Sequence, residues 1–327
     1  MSKDIFALVE HLEGRLSEAS FELLGKGREI ADSSGGRLVA VLLGSGVRVL
    51  SAELGLADSV LVMENAALLA YTPETYTLAL RALIETRKPR VLLTSSTPIG
   101  MDQSAALSAG LGWPLVAYAK DARLDGPLLK ATSQIYGGKI LADLDLQGDH
   151  VIVSLIAGAS PADQGRSAAT KAATVEEVAA PAGLDQARTR FKRLIVPDAG
   201  DVDITKEAIL VSVGRGIQSQ DNVVLVEELA EALGASVSAS RPIVDLGWLP
   251  KTRQVGKSGM TVKPRLYLAV GISGAPEHLE GMRGAEMIVA INTDAAAPIF
   301  GAAHYGANVD LFDLLPALTL RVKAART

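Results

Sequence analysis

The sequence predicts an α/β protein of two domains, each built on a parallel sheet of the doubly wound, Rossmann-like kind. Three observations lead there. In the first half, short apolar runs of strand type alternate with segments of helical periodicity, the order expected of parallel strands joined by helices. The same alternation restarts at AILVSVGRGI, residues 208 to 217, after a stretch of small and polar residues. A length of 327 residues suits about two domains.

Taken in order, the first half predicts a strand at IFALVEH, a helix over about 18 to 32, and a strand at LVAVLLG. A helix near Ser51, a strand at SVLVM, a helix over 75 to 86 and a strand at RVLLTSS follow. On the first helix Leu23, Gly27 and Ile30 recur at helical spacing with Leu24 and Ala31 beside them, which marks a core face. TSSTPIGMDQSAALSAGLGW runs from a strand into a helix, so the hydroxyls at 94 to 97 either cap that helix or hold a phosphate, and capping is the safer reading. Tyr136-Gly137-Gly138 reads as a turn between TSQIY and KILADLDL. SPADQGRSAATKAATVEEVAAP has the composition of an exposed connection, and LDQARTRFKRLIVP reads as one more strand of the first domain. PDAGDVD is the boundary, placing the domains at 1–197 and 198–327.

The second domain opens with a strand, a Gly-x-Gly turn at Gly214 and Gly216, and a helix whose Val226, Leu229, Ala230 and Leu233 share a face. Ser219 stands where a dinucleotide fingerprint has its third glycine, so the motif alone is weak evidence for NAD. From Ala239 to Leu311, two apolar runs, 266 to 270 and 287 to 291, break directly into Gly, Ser, Asn and Asp. In an open α/β sheet that is where ligands sit, and this segment reads as a cofactor site. In GISGAPEH, Pro276 suits the first turn of a helix, and Ser273-Gly274 permits a tight turn before it. The amides there either face an anion or belong to an ordinary strand-turn-helix junction.

Composition narrows the chemistry. With 48% hydrophobic and 21% charged residues the chain is of ordinary globular type. A net charge of -5 argues against a nucleic-acid partner. The absence of cysteine excludes disulfides, iron-sulfur clusters and thiolate zinc sites, so redox chemistry would come from an organic cofactor. His11, His150 and His304 show neither metal-ligand spacing nor a triad pattern, and DLDLQGD reads as a solvated hairpin rather than a cation loop. No metal and no catalytic residue is assigned. The N-terminus lacks a signal-peptide pattern and no run reaches membrane-spanning length, so the sequence predicts a cytoplasmic protein that does not span a membrane.

The pieces VGRGI, ASR with Asp245, QVGKSG, YLAVGISGA with His278, IVAINTD with APIF, and YG with DLF occur in one order through about the last 120 residues. Together they resemble the FAD-binding domain of electron transfer flavoprotein α subunits. The STPIG and YGG pieces resemble that family's first domain, which the resemblance implies is nucleotide-shaped but holds no nucleotide. Ile156-Ala157-Gly158 departs from the family's RPG there.

The resemblance implies a role for each matched residue. Arg215 becomes a phosphate or ribose contact, and Ser240 with Arg241 the pair that approaches the flavin. Val255, Gly256, Lys257 and Ser258 form the loop along the isoalloxazine edge, with Ser258 offering the hydroxyl for N5. Ser273, Gly274, Ala275, Pro276, Glu277 and His278 form the turn at the phosphates and pyrimidine edge, with the His278 imidazole near ring carbonyl O2. Asn292 matches a ribityl or phosphate contact, and Asp310 with Leu311 the adenosine end. Lys257, Glu277, Pro276 and Thr293 depart from the family's usual residues, and Glu277 needs either to turn outward or to pair with a cation such as Lys257.

The expected protein is the α subunit of a heterodimer whose β subunit carries AMP or a second FAD. Electrons would come from acyl-CoA or other flavin dehydrogenases, or from NADH or ferredoxin in a bifurcating variant, and pass to a quinone oxidoreductase or other acceptor. Two alternatives stand beside it: a stand-alone FAD- or NAD-dependent oxidoreductase, which would turn over substrate unaided, and a flavin-free interaction subunit, which would show no flavin absorbance.

Overall fold

A computed structural model describes residues 2–136, 138–166, 173–194 and 202–326 of the protein. The chain divides into two compact units, Met1–Arg193 and Leu194–Thr327. The first runs β1 (Ile5–Val9), β2 (His11–Leu12), β3 (Arg15–Leu16), α1 (Glu18–Ser34), β4 (Leu38–Gly44), β5 (Ser59–Glu64), α2 (Pro73–Arg87) and β6 (Val91–Ser95). It continues through α3 (Pro98–Leu111), β7 (Leu115–Asp125), β8 (Leu128–Ile135), β9 (Ile140–Leu146), β10 (Val151–Leu155), α4 (Ala162–Arg166) and β11 (Thr174–Glu177). The sheet order is β11-β5-β4-β1-β6-β10-β7-β8-β9, parallel as far as β7 and antiparallel beyond it.

Alternation along β1 shows why its residues form a central strand. Ile5, Ala7 and Val9 enter the core beneath α1, whereas Phe6 and Leu8 enter the opposite core beneath α2. The α1 stripe of Leu23, Leu24, Gly27, Ile30 and Ala31 is buried, as its spacing predicts. That helix starts where the Ser17 hydroxyl accepts from the Ser20 amide and stops at left-handed Gly35. Of the hydroxyls at 94 to 97 it is Thr97 that caps α3, accepting from the Gly100 amide, whereas those of Thr94 and Ser95 are buried without hydrogen-bond partners and Ser96 Oγ lies 3.1 Å from Ser154 Oγ.

Three segments of this unit depart from the sequence expectation. The helix near Ser51 is a 3-10 turn, Arg48–Glu53. The connection around 160 to 181 contains α4 and β11, which extends the sheet edge beside β5. Every residue of β11 is exposed; it is held by backbone pairing with β5 and by the ion pairs of Glu176 with Arg87 and Glu177 with Arg48, and carries no apolar pattern for a sequence reading to detect. The expected strand over 184 to 197 is instead a 3-10 turn at Leu184–Gln186 followed by irregular chain to 194; residues 195 to 197 lie outside the described residues. There the Glu74 carboxylate at the start of α2 accepts from the Arg188 and Thr189 amides, taking the place of a strand partner. The expected turn at 136 to 138 joins β8 to β9 with Ile135 opposite Ile140, although Gly137 itself lies outside the described residues.

The second unit runs β12 (Ile209–Val213), α5 (Val223–Leu233), β13 (Ser236–Ala239), α6 (Arg241–Asp245), β14 (Leu266–Val270), α7 (Pro276–Met282), β15 (Met287–Ile291), β16 (Tyr305–Ala307) and α8 (Leu311–Arg326). Its five strands are all parallel, in the order β13-β12-β14-β15-β16. Both faces are covered. Leu210, Tyr267, Ala269, Ile288 and Ala290 pack with Leu279 and Met282 of α7 on one side. Val211, Val213, Leu268, Val270 and Ile291 pack with α5 and α8 on the other. Full burial of each such Leu or Val contributes about 1.5–3 kcal/mol. The chain turns back on its own order between β12 and β14, the switch point at which open α/β sheets bind ligands beyond the strand ends. Among the described residues no helix is long and apolar enough to cross a membrane.

At that switch point the loops after β12 and β14 touch backbone to backbone. The Gly214 amide donates to Val270 and the Gly216 amide to Gly271. A Cβ on Gly214 would lie 2.3 Å from the Gly271 carbonyl oxygen. Gly214→Ala is therefore expected to destabilise the protein by about 1–3 kcal/mol through forced separation of the two loops, whereas Gly301→Ala, with open space around it, costs far less. Urea unfolding of the two variants checks this; equal midpoints would refute it.

A second expectation concerns Glu10, which follows β1 at the strand ends of the first unit. It is 7% exposed and accepts a 2.6 Å hydrogen bond from the Thr97 hydroxyl. Burial raises its pKa to about 7, with the Thr97 bond opposing the shift. The folded protein thus holds a proton that the unfolded chain releases at its ordinary, lower pKa. Stability from this group is present at low pH and declines as pH rises through about 7. Glu10→Gln should abolish that decline and gain on the order of 2 kcal/mol over wild type at pH 8. Parallel stability curves between pH 5 and 8 would contradict it.

Candidate cofactor site

Each predicted site residue of the second unit lies just beyond the C-terminal end of a parallel strand, or in a segment docked there. Arg215 opens the 3-10 turn Arg215–Ile217 after β12 and is exposed. The next residue but two, Gln218, is held at φ 69°, a left-handed conformation uncommon outside glycine. Ser240 is buried at the N-cap of α6 without a side-chain capping bond. Arg241 begins that helix, exposed, with its Nε 3.2 Å from Asp245 Oδ2. The local signal is plain: a buried SVSA strand is followed by Ser and by Arg-Pro, which suits a helix start.

The loop containing Val255, Gly256, Lys257 and Ser258 is clamped from two sides. The Val255 amide donates to Ala239 at the end of β13, and the Lys257 amide donates to Glu277 on α7. Gly256 has φ +133°, and a Cβ there would lie 2.9 Å from the Glu277 carbonyl oxygen, so this position needs glycine. Val255 is buried, while Lys257 and Ser258 face solvent. The Ser258 hydroxyl accepts a 2.8 Å bond from Gln254 Nε2. Gln254 is 1% exposed, and its Oε1 has no hydrogen-bond partner.

After β14 comes the turn of Ser273, Gly274, Ala275, Pro276, Glu277 and His278. Pro276 is the first residue of α7, as expected from its fixed φ. Gly274 at φ +86° presses on Ile299, whose amide donates to the Ser273 carbonyl. Ser273, Ala275, Pro276 and Glu277 are exposed. Glu277 thus turns outward rather than pairing with Lys257, whose Nζ lies 4.0 Å from Glu280 Oε2. Asn292, after β15, donates to the Ile272 carbonyl and tethers this turn to the next strand. Asp310 accepts from the Phe312 amide at the start of α8, and Leu311 is buried against Gly271. Thr293 is exposed.

His278 differs from its neighbours. It is 6% exposed, and its Nε2 lies 2.9 Å from the Tyr267 hydroxyl, which in turn donates to Ser212 Oγ at 2.7 Å. Burial lowers its pKa to about 4, and the Val255 backbone near the ring opposes that shift without providing a hydrogen bond of good geometry to Nδ1. The imidazole is therefore neutral near pH 7 in the chain alone. Tyr267, Ser212, Ser238 and Gln254 are absent from the sequence-predicted site. The signal that marks the first three is a polar group inside otherwise apolar strands, AILVSV, SVSA and LYLAV.

This edge combines backbone amides, two exposed guanidinium groups, hydroxyls and buried polar atoms without partners. The residues fit a large, anionic, planar ligand such as FAD: Gln254 Oε1 and His278 Nδ1 are buried polar atoms without partners, beside exposed guanidinium groups at the strand ends. Among the described residues there is no group of three or more His, Asp or Glu placed to hold a metal ion.

Comparison with known proteins points the same way. Residues 203–283 match the electron transfer flavoprotein FAD-binding domain, and residues 5–182 the electron transfer flavoprotein domain. The chain is 37% identical to the electron transfer flavoprotein subunit alpha of Thermoanaerobacterium thermosaccharolyticum, with 98% of each chain covered. It is 37% identical to Protein FixB of Clostridium saccharobutylicum, covering 98% of this chain and 96% of the relative. It is 33% identical to the acryloyl-CoA reductase electron transfer subunit beta of Anaerotignum propionicum, covering 99% and 96%. Full-length similarity of this order, together with both domain matches and an open parallel sheet that carries the matched motifs on its ligand edge, shows that the chain belongs to the electron transfer flavoprotein family, among its alpha subunits.

Proposed function

We propose that this chain is the FAD-holding subunit of a heterodimeric electron carrier that makes and breaks no substrate bonds. The observation that carries the reading is the convergence of Arg215, Arg241, the 255–258 loop and the 273–278 turn at the switch point of the second sheet. When bound, FAD supplies reversible electron uptake, and the chain supplies binding, orientation and charge. Residues 198–327 hold the cofactor: Arg215, Ser273 and Asn292 serve its phosphates and ribityl chain, and Asp310 with Leu311 its adenosine end. Ser240, Arg241, Val255, Gly256, Lys257, Ser258 and His278 serve the ring, and Gly274, Ala275, Pro276 and Glu277 shape the turn beneath it. Residues 1–197 bind no nucleotide and meet the partner.

The partner in this reading is an electron transfer flavoprotein β subunit carrying AMP or a second FAD, in the cytoplasm. Donors are acyl-CoA or other flavin dehydrogenases, a class supported by the acryloyl-CoA reductase name of one relative. The acceptor is a quinone oxidoreductase or another carrier; with NADH as donor and a second FAD, the complex would bifurcate electrons.

Size-exclusion chromatography with flavin absorbance tests the assignment. The complex with the β subunit should carry FAD firmly and this chain alone weakly. A colourless complex would overturn the cofactor assignment, and a monomer with stoichiometric, slowly exchanging FAD would overturn the need for a partner.

Electrostatics gives a further expectation. The Arg241 guanidinium is a permanent cation, offset here by Asp245. Arg241→Ala should lower the flavin midpoint potential and Asp245→Asn should raise it, each by on the order of 30 mV, equivalent to about 1.4 kcal/mol for a two-electron couple. Spectroelectrochemistry decides; shifts of the same sign in both variants would place Arg241 away from the ring.

A further inference from the structure

Three side chains from three elements form a buried polar row beneath the site: Ser212 on β12, Tyr267 on β14 and His278 on α7. Ser212 and Tyr267 are fully buried. The Tyr267 hydroxyl donates to Ser212 Oγ at 2.7 Å and lies 2.9 Å from His278 Nε2. Burial raises the phenol's pKa, so the hydroxyl keeps its proton. A phenol has one proton to give and a neutral imidazole has one N–H. With the phenol proton directed to Ser212, the bond to His278 exists only if Nε2 is the donor. Nδ1 is then a bare lone pair, and it is the buried ring nitrogen without a hydrogen-bond partner. The tautomer follows from the heavy-atom geometry of the network and not from any feature of His278 alone.

We propose that Ser212 and Tyr267 are positioning residues that hold His278 as its Nε2–H tautomer and so make Nδ1 the proton-accepting nitrogen of the site. An imidazole in this state offers a lone pair to a ligand N–H or to an incoming proton; it has no donor for a ring carbonyl until it becomes charged. If a proton is taken up, it arrives at Nδ1, the ring nitrogen that the network leaves without a partner. The proposal deepens the FAD reading and rests on it only for the identity of the ligand; the tautomer itself is a property of the chain.

The test is long-range 15N–1H NMR of the full-length chain labelled in its four histidine rings, with the His278 signals identified by their loss in His278→Gln. In wild type at pH 7, Nε2 should resonate as a protonated nitrogen and Nδ1 as a bare one, with a tautomer ratio on the order of ten to one. Ser212→Ala frees the phenol proton for Nε2, so the ratio should invert; Ser212→Thr, which keeps a hydroxyl, should restore it. Tyr267→Phe should leave neither tautomer strongly preferred. Protonation at Nδ1 in wild type overturns the proposal whether or not the variants fold, and so does an unchanged ratio in folded Ser212→Ala. The labelled chain in complex with its partner subunit separates this from the cofactor reading. FAD bound there should move the Nδ1 resonance more than that of Nε2. A complex that holds no flavin while His278 keeps the stated tautomer would sink the FAD reading and leave the hydrogen-bond network standing.

Discussion

The site depends first on the contact between the loops leaving β12 and β14, where Gly214 and Gly216 lie against Gly271 with no side chain between them. Parallel strands direct all their carboxyl ends to one edge, and a sheet covered on both faces leaves that edge as the place where backbone amides and side chains can meet a ligand. The close glycine contact fixes how far apart the first and third strand loops stand. Every later element is referred to them: the 255–258 loop is tied to the end of β13, the 273–278 turn is tied to that loop and to Ile299, and Asn292 ties the fourth strand to the third.

Charge around this edge is balanced locally. Arg241 faces Asp245, Lys257 approaches Glu280, and Glu277 lies in solvent. Exposed pairs of this kind contribute little to stability. His278 is the opposite case: buried, neutral and defined by hydrogen bonds, it contributes direction rather than charge.

The first unit treats the corresponding edge differently. Its chain also turns back on itself, between β1 and β6, but Glu10 sits there against Thr97, the N-cap of α3. Glu22 accepts from the Gly158 amide nearby. Glu10 is buried there, with its pKa raised to about 7.

Much of this was legible in the sequence by itself. Apolar runs such as LVAVLLG and LYLAV are buried on both faces of a sheet, and a buried strand cannot hide its composition; the α1 stripe and the Thr97 cap follow from helical period and hydroxyl chemistry. The ordered set of GISGAPEH, QVGKSG and ASR placed the candidate site because turn residues at strand ends are local features. What only the tertiary structure decided is non-local. β11 belongs to the sheet through backbone pairing that its four exposed residues do not announce, and the segment after Leu184 lost its strand to a carboxylate on α2. The neutral state of His278 comes from its burial, and the hydrogen-bond partners that place the proton on its ring, Tyr267 and through it Ser212, lie 11 and 66 positions away in the chain. Pattern encodes which face a residue buries; which partner meets it there is set by packing across strands that the sequence does not place side by side.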